Sequence, residues 1–188
     1  MHSQKKIFLA LLVLFLAMMA CTIHLGGPQI PDESIPVSTE AAFSLEEQLK
    51  QAKEIAKQTG TLTLQISEAQ LTSYLVNRFQ ANPEAVLENP RVLLRDGQVQ
   101  VYGIARKGYF TANVALIISV GIDEQGKPKI EIVSADFGPL PVPQGLRETI
   151  QAAVQEAYTG AIGPAATGFR LETIQIANGF MTLSGRIK

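Results

Sequence analysis

From Tyr109 to Asp123 the chain reads YFTANVALIISVGID. In an extended strand Phe110, Ala112, Val114, Leu116, Ile118, Val120 and Ile122 share one face, and Tyr109, Thr111, Asn113, Ala115, Ile117, Ser119 and Gly121 share the other. Such a strand spans ~45 Å at about 3.3 Å per residue, whereas ordinary strands hold about 5–6 residues. Twist accumulates along a strand of that length, so the sheet that contains it coils. Its unbroken apolar face needs a covering layer, and helices on one face of an antiparallel sheet supply one. Two readings of the face stay open at this level. It is either the floor of a filled core or one wall of a dry groove suited to acyl chains.

The flanking sequence predicts an α+β domain. Ser44-Leu45-Glu46-Glu47 has capping-box spacing and opens a helix with Leu45, Leu49, Ala52 and Ala56 on one stripe, ended by Gly60. Thr61–Ile66 alternates as a strand. Ser67-Glu68-Ala69-Gln70 is a second capping box, leading a helix with Leu71, Tyr74, Leu75 and Phe79 that stops at Asn82-Pro83. Val92–Ile104 reads as a hairpin turning at Asp96-Gly97, followed by a turn at Lys107-Gly108. After the long strand, Pro128–Phe137 changes apolar phase between Ile132 and Val133, which predicts a bulge. Gly138-Pro139-Leu140-Pro141-Val142-Pro143 is a stiff connector into a third helix from about Gln144, carrying Leu146, Ile150, Ala153, Val154 and Ala157. Leu171–Ile187 closes the chain as a hairpin turning at Asn178-Gly179. Asp96-Gly97 with Val99, Val101 and Gly103 echoes Asn178-Gly179 with Met181, Leu183 and Gly185, which reads either as a degenerate duplication of a helix-plus-hairpin unit or, the favoured reading, as turn chemistry that all such hairpins share. The expected architecture is a long, curved antiparallel sheet of about six or seven strands packed on two or three helices. If the long strand lines a groove, Phe110, Val114, Leu116, Ile118 and Val120 face Leu146, Ile150 and Val154 across it.

The N-terminus places the domain outside the cytoplasm. Lys5 and Lys6 precede an unbroken apolar run, Ile7–Ala20, that ends at Cys21. A run of roughly 14 residues fits a signal-peptide core and is short of the ~20 that span a bilayer. Met18-Met19-Ala20-Cys21 resembles the bacterial lipobox at its small and Cys positions and departs from it at Met18, where Leu is usual. Cys21 is the only cysteine, so no disulfide framework exists, and lipid attachment gives it a use. An uncleaved anchor through Leu25 and simple secretion are the other two readings of the same residues. Thr22–Ser38, rich in Gly, Pro and Ser, reads as a tether. The expected organisation is a signal with its lipidation Cys over 1–21, a flexible tether over 22–43 and one domain over 44–188. The expected location is the outer face of a bacterial cell membrane.

Catalytic chemistry is sparse. The two histidines, His2 and His24, both precede the domain, and the domain has no Cys and no Trp. That excludes Ser-His-Asp and Cys-His sites, and metals bound through His or Cys. Of the Asp residues, Asp32 is in the tether, and Asp96 and Asp123 sit at predicted turns. Asp136 remains as a candidate carboxylate; Asp136-Phe137-Gly138 spells a kinase triplet without the loops a kinase needs. No phosphate-binding glycine loop is present, so no cofactor is expected. With a formal net charge of -1 at pH 7 the chain has no basic stripe for nucleic acid. The partners expected are membrane lipid, as anchor and as ligand, and an envelope protein if the chain is a scaffold.

The order of the motifs Ser67–Leu71, Asp96–Gly103, the long strand, Gly138–Pro143 and Asn178–Gly185 resembles that of bacterial envelope proteins of the LmeA/YpmS type, which are similar to the tubular lipid-binding (BPI-like) superfamily. The resemblance implies a half-barrel in which a curved sheet cradles a helix and holds apolar ligand between them. It implies no catalytic residue. The function expected is binding of phospholipid or another amphiphile in an apolar groove, with a non-catalytic envelope scaffold as the alternative.

Overall fold

A computed structural model describes residues 23–80, 87–124, 128–139 and 169–187. Within these the elements are β1 (Ile23–His24), α1 (Thr39–Thr59), β2 (Thr61–Ser67), α2 (Glu68–Gln80), β3 (Leu87–Arg95), β4 (Gln98–Lys107), β5 (Phe110–Ile122), β6 (Pro128–Asp136), β7 (Phe169–Ala177) and β8 (Phe180–Ile187). The fold is α+β: a curled, half-barrel antiparallel sheet system packed against helices. The third helix expected from Gln144, with Leu146, Ile150 and Val154, lies outside the described residues, as do Cys21 and the leader.

The long strand is β5, and it organises one sheet. β4 pairs along one side of it from Phe110 to Ser119, and β3 continues the sheet beyond β4. β6 pairs along its other side from Ala115 to Ile122, and the short β1 runs parallel to it at Phe110 and Thr111. The second sheet has the order β2-β8-β7. Both predicted hairpin turns form with positive φ at each central residue: Asp96 and Gly97 at 53° and 73°, Asn178 and Gly179 at 54° and 80°. The bulge in β6 sits where the apolar phase changes, because Ile117 pairs with Ser134 and Ile118 with Ile132, leaving Val133 unpaired between them. The turn between β4 and β5 falls at Gly108-Tyr109, one residue later than expected.

The echo between the two hairpins extends beyond their turns. Gly103 and Gly185 each follow the turn Asp or Asn by seven positions (96 to 103, 178 to 185) and face a bulge in the preceding strand. A Cβ on Gly103 would lie 2.7 Å from the Leu87 side chain; one on Gly185 would collide with the Arg170 carbonyl oxygen. In each hairpin the glycine makes room for the carbonyl or side chain that the bulge pushes across.

Helix α1 starts earlier than the capping-box pattern predicts. Ser38 is its N-cap, accepting from the Ala41 N–H at 3.0 Å, and Gly60 in the left-handed region closes it. Ser44 lies inside the helix and donates to the Ala41 carbonyl. Two Ser residues compete here as caps, and Ser38 wins because its backbone N–H is also held, by Ser73 Oγ at 3.1 Å. The second capping box forms as read: Gln70 N–H donates to Ser67 Oγ, and Ser67 N–H donates to Gln70 Oε1.

Helix α2 is the keystone. β3 is an edge strand, and an edge strand leaves N–H and C=O groups unpaired. The Val92 N–H donates to Thr72 Oγ1 at 2.9 Å, and the Leu94 N–H donates to Glu68 Oε1 at 2.6 Å. The spacing explains the match. Four residues of helix advance about 6 Å and two residues of strand about 6.6 Å, so an i, i+4 pair on α2 meets an i, i+2 pair on β3. Among the described residues no buried side-chain nitrogen or oxygen lacks a hydrogen-bond partner.

Residues 23–38, expected as a flexible tether, lie against the domain instead. The Ile23 N–H donates to the Tyr109 carbonyl, the Leu25 N–H to that of Thr111, and the Asn113 N–H to the Gly26 carbonyl. The chain then crosses the outer face of the sheet. Asn113 Nδ2 holds the Pro28 carbonyl, Arg91 holds the Pro31 carbonyl, and Arg95 pairs with Glu33 at 2.7 Å. Gly27 and Gly138 touch where this strap passes the end of β6: a Cβ on Gly138 would sit 2.9 Å from the Gly27 Cα. Gly and Pro look like tether composition, but here Gly permits a close crossing, and proline carbonyls, with no N–H beside them, serve as acceptors.

Candidate functional site

Strand register puts apolar side chains in rows across the inner face of the first sheet. One row is Val92, Val101, Leu116 and Ala135; the next is Leu94, Val99, Ile118 and Ile132. Paired residues of antiparallel strands share a face, so each row is a continuous apolar line. Helix α2 covers one side of these rows. Its Leu71 and Leu75 pack against the buried cluster of Val92, Leu94 and Ile176, the last from the second sheet, and Val99, Val101, Val120 and Met181 pack against the same cluster. Its Phe79 packs with Leu87, Ala105, Val114 and Phe137.

Among the described residues the cover thins towards β6. Along the second row Leu94 is fully buried, Val99 and Ile118 are half-buried, and Ile132 is 46% exposed. The same gradient runs along β5: Ala112, Val114 and Leu116 are buried, while Ile118, Val120 and Ile122 are half-buried. The result is an apolar ledge formed by Ile118, Val120 and Ile122 on β5 with Ile130 and Ile132 on β6. Ile122 pairs with Pro128, Val120 with Ile130 and Ile118 with Ile132.

The sequence-derived residues divide between core and ledge. Val114 and Leu116 are core; Ile118 and Val120 are on the ledge; Phe110 is exposed at the opposite end of the strand. Leu146, Ile150 and Val154 lie outside the described residues. Sequence reasoning did not select Ile130 and Ile132. The signal was present in the alternation of Lys129–Glu131–Val133 against Ile130–Ile132, but the phase change at the bulge hid which face they join.

The titratable groups nearby serve turns and joints. Asp136 Oδ1 accepts the Gly138 N–H at 2.8 Å, Phe137 is buried against Val114, and Gly138 has φ 56°, so the Asp-Phe-Gly triplet builds a turn. His24 Nδ1 lies 3.3 Å from Thr111 Oγ1. Arg95 bridges Glu33 of the strap and Glu68 of α2 at 2.7 Å each. The hydrogen bond to Glu33, with both carboxylates nearby, raises the affinity of the guanidinium for its proton. These residues border an open cleft of about 490 Å3 at the joint of strap, helix and hairpin turns. Among the described residues no three His, Cys, Asp or Glu side chains gather as metal ligands, and no helix is long and apolar enough to cross a membrane.

No protein-family model matches the sequence, and no curated protein does. Among solved structures the chain is similar to a crystal structure of lipopolysaccharide-binding protein, with 12% identity and a TM-score of 0.25. The match covers 69% of this chain and 49% of that one, so the chain spans about half the length of its neighbour.

Proposed function

We propose that this chain binds the apolar part of an amphiphile, a phospholipid or a fatty-acid-like molecule, on the ledge of Ile118, Val120, Ile122, Ile130 and Ile132, and that it does so without catalysis. The protein works on the outer face of a bacterial cell membrane, held there by a lipidated Cys21 or by an uncleaved apolar N-terminus. The motif order similar to envelope proteins of the LmeA/YpmS type supports the same reading. The observation that carries it is the burial gradient across the row Leu94, Val99, Ile118 and Ile132. A row that only builds a core would be covered along its whole length, because exposed apolar surface in water costs about 25 cal/mol per Å2. Here burial falls off partway along the row, and the part left open among the described residues is contiguous and entirely aliphatic, as an acyl-chain site requires.

Leu116→Ser and Ile118→Ser test this, measured by thermal unfolding and by titration with a fluorescent fatty acid. Leu116 is core, so its truncation is expected to cost about 2–5 kcal/mol, the range typical of buried Leu. Ile118→Ser, at a half-buried position, is expected to cost about 1–2 kcal/mol and to weaken fatty-acid binding about tenfold or more. A parent protein that binds no fatty acid, and whose native mass spectrum from its host carries no lipid, overturns the proposal and favours the envelope scaffold. The membrane attachment has its own test. Cys21→Ser is expected to release the protein or to leave an unprocessed precursor; processing and membrane retention identical to the parent's would sink the lipidation reading.

A further inference from the structure

We propose that the corner of the sheet formed by Ile23, Leu25, Tyr109 and Phe110 is a membrane-docking surface that seats the domain edge-on in the bilayer interface. This rests on the reading that the chain is anchored through the segment ending at Cys21.

The four side chains are apolar or aromatic and 36% to 67% exposed. They are neighbours by backbone pairing, since Ile23 is in register with Phe110, and the Ile23 and Leu25 N–H groups donate to the carbonyls of Tyr109 and Thr111. One such residue at a surface is ordinary, but here Phe110 and its register partner Ile23 lie beside Leu25 on the adjoining backbone, and Tyr109, which alternates to the other face, flanks them, so the corner is apolar around its edge, as edge-on seating requires.

The occupant follows from where the described structure meets the rest of the chain. Ile23 is two residues from Cys21 and three from Ala20, where the apolar run Ile7–Ala20 ends. At most about 3.6 Å per residue separates them, so the corner sits within ~11 Å of the anchor point. The interfacial region of a bilayer is several ångströms deep on each side, since the ~30 Å hydrocarbon core widens to about 40–45 Å with headgroups. The corner is therefore within reach of the interface, where tyrosine is enriched because its ring has an apolar body and a polar tip. The strap makes this more than proximity. Hydrogen bonds from Ile23, Leu25 and Asn113 tie the anchor-proximal residues to β5, so the domain cannot drift away on a slack linker. β5 then leads away from the corner. Ile118 lies about 26 Å and Ile122 about 40 Å along the strand from Phe110, which separates the docking corner from the apolar ledge.

The chain has no tryptophan, so Phe110→Trp supplies a single fluorescent reporter at the corner, and Phe43→Trp, exposed on α1 beyond the far end of the strap, supplies the control. Each full-length variant is reconstituted into phosphatidylcholine–phosphatidylglycerol vesicles with brominated acyl chains and checked by flotation and thermal unfolding. Both variants are expected to float. The indole emission of Phe110→Trp is expected to shift to the blue and fall by roughly half or more, and that of Phe43→Trp to stay unchanged, since only groups at hydrocarbon depth meet the bromines. Flotation with Phe110→Trp quenched no more than Phe43→Trp overturns the docking surface and leaves the anchor standing. Failure to float overturns the anchor reading and the docking with it. If Phe110→Trp fails to fold, Tyr109→Trp replaces it with the same expected readout, because Tyr109 is the most exposed of the four.

Discussion

Leu94→Ala is expected to lower the unfolding free energy by about 3–5 kcal/mol, in the upper part of the range for buried Leu truncations. For a chain of this size that is a fall in melting temperature of roughly 6–20 °C. Leu94 is fully buried on the row that α2 covers, in one cluster with Val92 and Ile176 and against Leu71, Leu75 and Met181. Those partners belong to both sheets and to α2, so no single element can move in to fill the void. The Leu94 backbone is also held on both sides, its N–H by Glu68 and its carbonyl by the Gly179 N–H at 3.2 Å. That fixes the strand and keeps the cavity from collapsing, which is the condition under which truncation costs most. Calorimetry or denaturant unfolding checks this. A loss below about 1.5 kcal/mol, the level of an Ile→Val change, would show that the two sheets do not share a core here.

Glu68→Ala is expected to cost about 2–3 kcal/mol, and Glu68→Gln roughly half of that. The carboxylate does three things. It accepts the Leu94 N–H at 2.6 Å, pairs with Arg95 at 2.7 Å, and stands in the first turn of α2, where negative charge suits the helix dipole. Gln keeps an acceptor for Leu94 but loses the charge; Ala leaves a strand N–H without its partner. The Arg95 pair itself contributes little because Arg95 is partly exposed. Equal losses for Gln and Ala would assign the role to charge, and no loss for either would remove Glu68 as the joint between β3 and α2. Measurement at high salt separates these, since screening weakens the partly exposed ion pair more than the part-buried hydrogen bond.

Much of the fold was legible because its signals are local. The turns at Asp96-Gly97 and Asn178-Gly179 follow from which residues tolerate positive φ, and the β6 bulge follows from a change of apolar phase between Ile132 and Val133. The Ser67–Gln70 box formed as read because both of its bonds lie within four residues. The start of α1 is not legible, for the opposite reason. Ser38 and Ser44 are both competent caps, and the contact that favours Ser38 comes from Ser73, far away in sequence. The strap looks slack in sequence because the carbonyls of Pro28 and Pro31 find their donors on Asn113 and Arg91, distant residues whose placement no local pattern reports.

By itself the sequence determined the long amphipathic strand, the period of its apolar face and the turn chemistry that makes the sheet antiparallel, since these depend on residues within one or two turns of chain. Only the tertiary structure decided which part of that face is core and which is ledge. Val114, Leu116, Ile118 and Val120 are chemically alike and share one period, so nothing local distinguishes them. What does is the length and placement of α2, fixed by the match of Glu68 and Thr72 to the N–H groups of Leu94 and Val92. That match seats the helix on β3, with Phe79 reaching the cluster of Val114 and Leu71 and Leu75 the cluster of Val92 and Leu94, while burial falls off beyond Leu116 along β5 and out to Ile132 on β6.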